Sequence, residues 1–102
     1  MIVVIYANGS IASIPRDTPS DDAEELGRIV GGWIEHIHSY QEYQGEFAQL
    51  VVDEEGKVKN LPINHRATEL WHTEQRRLYG FVRNGDSIRG TAVILTGKSR
   101  MT

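Results

Sequence analysis

The sequence predicts an α+β fold: a single antiparallel or mixed sheet with one main helix, about residues 19–30, packed on one face. A second, short helix spans about residues 65–72, and the arrangement is β-grasp-like. Three observations predict this. β-Branched and alternating apolar runs lie at both ends of the chain, apolar residues at helical spacing occur in only two stretches, and Asn8-Gly9 and Asn84-Gly85 punctuate strand candidates. At 102 residues the chain makes one domain, residues 1–102.

Ile2 to Ala7 favours a strand, Asn8-Gly9 is hairpin chemistry, and Ser10 to Ile14 alternates apolar with small residues. Pro15 ends that strand because it has no amide to donate to a ladder. Thr18-Pro19 reads as a helix start, with Asp21, Asp22, Glu24 and Glu25 at the positive end of the helix dipole. Leu26, Ile29, Val30 and Trp33 continue the stripe, and Gly31-Gly32 supplies a left-handed stop. Trp33 to Ser39 is a partly exposed strand, Tyr40 to Gly45 a polar connection, and Phe47 to Val52 a further strand closed by the turn Asp53-Glu54-Glu55-Gly56. Lys57-Val58-Lys59 is expected to pair back against it. Asn64 caps the second helix, with Ala67, Leu70 and Trp71 as its apolar stripe and Thr73 to Arg77 as a polar connection. Leu78 to Val82 and Ile88 to Leu95 are the last strand candidates, the latter interrupted by Gly90. Trp33 and Trp71 are both expected in the core.

Composition narrows the chemistry. The absence of cysteine removes disulfides, thiolate metal sites and thiol nucleophiles. No apolar run reaches the roughly 18 residues of a membrane span, and the opening apolar run lacks a basic leader, so neither membrane contact nor export is expected. The net charge of −3 divides unevenly. Residues 1–55 hold eleven acidic side chains against two basic, and residues 56–102 hold nine basic against three acidic. The acidic excess sits at a helix start and in a turn, where local structure favours it. The basic excess has no such local reason, and the overall balance argues against a duplex-DNA binder.

Four segments carry a family resemblance: Ile29-Val30-Gly31-Gly32-Trp33-Ile34-Glu35, Val51-Val52-Asp53-Glu54-Glu55-Gly56-Lys57, Leu61-Pro62-Ile63-Asn64 with Ala67-Thr68, and Gly90-Thr91-Ala92-Val93-Ile94-Leu95-Thr96-Gly97. In this order and spacing the chain resembles an uncharacterised family of small phage and mobile-element proteins that carry a domain of unknown function. The resemblance implies a phage or prophage origin and therefore the host bacterial cytoplasm. It implies no reaction and no cofactor.

The residues themselves offer two constellations. Arg66, Arg76, Arg77, Arg83 and Arg89 lie near Trp71 and Tyr79 in sequence. Guanidinium forks bind phosphate and aromatic faces stack on bases, so this stretch is the candidate site for a nucleotide-type ligand, against the favoured plainer reading that these arginines pair with the acidic first half of the chain. His36 and His38 share a strand face, while His65, Glu69 and His72 share a helix stripe, which makes these five the weak candidates for metal ligation. A solvated polar face is the favoured explanation of them, and no cofactor is expected. No Walker loop, dinucleotide fingerprint or nucleophile elbow is present. The expectation is therefore a non-catalytic phage or prophage accessory protein that binds a host protein or itself, as a homo-oligomer. The alternative is a binder that sequesters a nucleotide-type molecule in an anti-defence role.

Overall fold

The computed structural model describes residues 1–102. Strands β1 (Ile2–Ile5) and β2 (Ile11–Ile14) form the expected opening hairpin. Its turn is longer than an Asn-Gly pair requires: the Tyr6 amide donates to the Ser10 carbonyl and the Gly9 amide to the Tyr6 carbonyl, both at 2.9 Å. Gly9 takes the left-handed position at φ 91° that closes such a turn.

Helix α1 (Ala23–Val30) begins later than Thr18-Pro19 suggests, because Asp22 is the N-cap and its carboxylate accepts from the Glu24 and Glu25 amides. It ends where expected, on Gly31 at φ 99°. Strand β3 (Ile34–Ile37), the short strand β4 (Glu42–Tyr43) and the long strand β5 (Glu46–Asp53) follow. The β4–β5 turn is Gln44-Gly45, both with positive φ.

Helix α2 (His65–Tyr79) corrects the reading of a short second helix: at fifteen residues it is nearly twice as long as α1, which has eight. Thr73 to Arg77 is helix rather than connection, and Leu78-Tyr79 is its last turn rather than a strand. The reason is that its buried stripe turns polar. Gln75 is fully buried and its amide bonds both the carbonyl and the amide of Asn84, while Glu74 is buried under Arg77. The last strand, β6 (Ala92–Thr96), is shorter than expected and runs into a 3-10 turn at Gly97–Ser99. Gly90, at φ 81°, packs against Leu61, whose Cδ1 would lie 2.8 Å from any Cβ there.

The sheet order is β2-β1-β6-β5-β3, with β4 extending the β3 side of β5, and every pair is antiparallel. The fold class is thus α+β with one antiparallel sheet. The β-grasp likeness is limited to α1 lying across one face, since α2 covers the opposite face. Alternation along the central strands sends Val3, Ile5, Leu50, Val52, Ala92 and Ile94 to Ala67 and Trp71 of α2. Their neighbours Ile2, Val4, Val51, Val93 and Leu95 meet Leu26 and Val30 of α1. Buried on both faces, β1 and β6 read as continuous apolar runs.

Lys57-Val58-Lys59 does not pair back as a strand; residues 54–60 form a compact turn. The Lys59 ammonium reaches instead to the buried Asp53 carboxylate at 2.8 Å and to the Gly31 carbonyl at 3.1 Å. A side chain at Gly32 would meet both members of that pair, at 2.5 and 3.0 Å. Gly32 therefore lets the turn pin the end of α1. No helix is long and apolar enough to cross a membrane.

Candidate functional site

The largest cleft, about 870 Å³, opens between β3, the turn after β5, α2 and the segment 84–89. Of the seven candidate ligand residues it gathers three: Trp71, Tyr79 and Arg89. Trp71 forms its floor, 6% exposed, with the indole N–H donated to the Ser39 hydroxyl at 2.8 Å. Arg89 spends one guanidinium N–H on the Leu61 carbonyl at 3.0 Å. Lys57 and Asp86 form an ion pair across the cleft lining, and that contact holds the Asp86 carboxyl below the usual carboxylate range.

The other arginines point elsewhere. Arg83 stacks on the Tyr79 ring at 4.6 Å, and Arg77 binds Glu74 and Glu42. Arg66 lines a second cleft of about 490 Å³ with Tyr40, Tyr43 and Leu70, and Arg76 is exposed near the end of α2. The five guanidinium groups are therefore distributed over the surface rather than converging on one anion.

His36 and His38 do come together, with ring centroids 4.2 Å apart. Desolvation, then the neighbouring His38 charge, lowers the pKa of His36, which favours neutral imidazole. His65 and Glu69 are exposed, and His72 bonds the Asp86 carbonyl at 2.7 Å. No group of three His, Asp or Glu side chains has a spacing that would hold a metal ion. Trp33, expected in the core, is 75% exposed beside the bare backbone of Gly31 and Gly32. Its place in the apolar stripe fails because the helix has already ended at Gly31.

A different feature is visible only in the assembled sheet. One of its edges is β2, and from Ser10 to Pro15 that edge carries no charged residue. Because the Tyr6 amide bonds Ser10, antiparallel alternation turns the backbone groups of Ala12 and Ile14 inward to β1 and those of Ile11 and Ser13 outward. Ile11 (41% exposed) lies on the α2 face and Ile14 (44% exposed) on the α1 face. The opposite edge, β3, carries Glu35, His36 and, just beyond it, His38. Charged side chains blunt an edge against pairing, and β2 has none.

These features define a helix-covered antiparallel sheet with one uncharged edge and one mixed-charge cleft. Residues 1–101 match DUF3846, a domain of unknown function, and the chain belongs to that family. The match takes in the opening hairpin as well as the four resembling segments. No curated protein and no solved structure matches the chain.

Proposed function

We propose that this chain is a non-catalytic accessory protein of a phage or prophage, working in the host bacterial cytoplasm by pairing an extended strand with β2. The strand comes from a host protein or from a second copy. The uncharged β2 edge with the outward amides of Ile11 and Ser13 carries this reading. Strand addition draws affinity from main-chain hydrogen bonds and needs no catalytic group. Ser13→Pro is the direct test, because it deletes an outward amide without removing a bond to β1. Complexes recovered with the wild-type protein should be lost with Ser13→Pro while the unfolding midpoint stays within a few degrees. Equal recovery with both proteins sinks the reading.

A second reading is supported by the meeting of Trp71, Tyr79 and Arg89 in the large cleft. It places a nucleotide-type ligand there, with the guanidinium on phosphate and Tyr79 against the base. Thermal-shift measurements with mono-, di- and cyclic nucleotides should then show stabilisation that Arg89→Ala removes. No shift with any of them disposes of it.

A further inference from the structure

We infer that the strand that pairs with β2 is β2 of a second copy, with the two-fold axis passing beside Ala12. This inference rests on the edge reading above and goes further, naming partner and register. Each copy offers two outward amides and two outward carbonyls, those of Ile11 and Ser13. An antiparallel partner with Ala12 opposite Ala12 sets Ile11 against Ser13 twice, and all four donors and all four acceptors are used. Shifting the register by two residues in one direction sets Ser13 against itself and Ile11 against Pro15, which has no amide. The opposite shift sets Ile11 against itself and Ser13 against Gly9, whose amide is already spent on the Tyr6 carbonyl. The Ala12-centred register alone satisfies the whole edge.

Side chains and charge agree with it. Ala12, on the α1 face, is the smallest residue of β2 that carries a Cβ facing that side, so two copies approach at the axis without a clash. Since residues 10–15 carry no charge, a second copy brings no like-charge repulsion across the new ladder. Arg16, the nearest cation in sequence, is already bound to Glu25 at 2.6 Å. Each copy also brings one exposed isoleucine to each face of the joined sheet, Ile11 on one and Ile14 on the other. The product is one continuous sheet through both protomers, ending on the polar β3 edge at either side.

The absence of cysteine makes the register directly readable. In the Ala12-centred pairing the two Ala12 residues form a non-hydrogen-bonded pair with Cα atoms about 4.5 Å apart, within disulfide reach. The two Ser13 residues are diagonal to one another and out of reach. Under mild oxidation Ala12→Cys should give a covalent dimer, and Ser13→Cys at least about tenfold less. Uncross-linked wild-type protein should sediment at twice 11.5 kDa at micromolar concentration. A wild-type monomer up to millimolar concentration, or equal cross-linking of the two variants, overturns the inference. If the wild type is monomeric and Ser13→Pro still abolishes a complex with a host protein, self-pairing is wrong and the edge reading stands. If Ser13→Pro alters no association, both are wrong.

Discussion

Asn64 does more than a helix cap requires. Its side-chain oxygen accepts from the Ala67 amide at 3.0 Å, which is the capping role legible in the sequence. Its side-chain nitrogen donates to the Ile5 and Gly90 carbonyls at 2.9 and 2.8 Å, tying α2 to β1 and to the approach of β6, and the residue is fully buried. Asn64→Ala is therefore expected to cost about 2–4 kcal/mol, more than a surface cap, because two buried carbonyls lose their donor. Asn64→Asp separates the two roles: it preserves the cap acceptor but turns a second oxygen toward those carbonyls. Urea unfolding should rank Asp as more damaging than Ala, whereas a residue that only capped would tolerate Asp.

Among the elements, α2 shows how far local pattern reaches. Its first half follows from Asn64 and the stripe Ala67, Leu70, Trp71, but its second half is anchored by buried Glu74 and Gln75, which no hydrophobic period reveals. Glu74 also accepts the Gln41 amide at 3.0 Å and so fastens the start of the β4–β5 hairpin to the helix. Burial alone would raise the Glu74 carboxyl, yet the Arg77 guanidinium and the Gln41 amide outweigh it and hold it below its ordinary 4.5. A depressed carboxylate contributes stability that is complete above its unfolded value and is lost as pH falls through the folded one. Glu74→Gln should cost about 1–2 kcal/mol at neutral pH, and the difference from wild type should shrink below pH 4.5 in acid unfolding curves. The strand blocks at both chain ends were legible because they are β-branched. Lys57 to Lys59 misled because a tertiary partner, Asp53, outweighed strand propensity.

For the whole molecule, long-range pairing decides what sequence order cannot. Ile2 pairs with Leu95 and Ile5 with Ala92, so the first and last strands lie side by side inside the sheet. That pairing leaves β2 at the edge, which is why its uncharged composition carried no functional meaning until the sheet was assembled. The arginines are separated by the long α2, which carries Arg66 in its first turn and Arg76 and Arg77 in its last, while Arg83 and Arg89 follow in the segment after it. Native-state hydrogen exchange should report this architecture: amides of β1 and β6 open only with global unfolding, while the Ile11 and Ser13 amides of the monomer exchange fast. The same arrangement bears on synthesis. A ribosome delivers β1 well before β6, so the middle of the sheet stays open until Thr96 has left the exit tunnel. Until then β1 offers its β6-facing side, two residues from the β2 hairpin turn, to any passing strand. A nascent chain of this protein is thus most exposed to chaperones, and to its sister chains on the same message, in the interval between the emergence of β1 and that of β6.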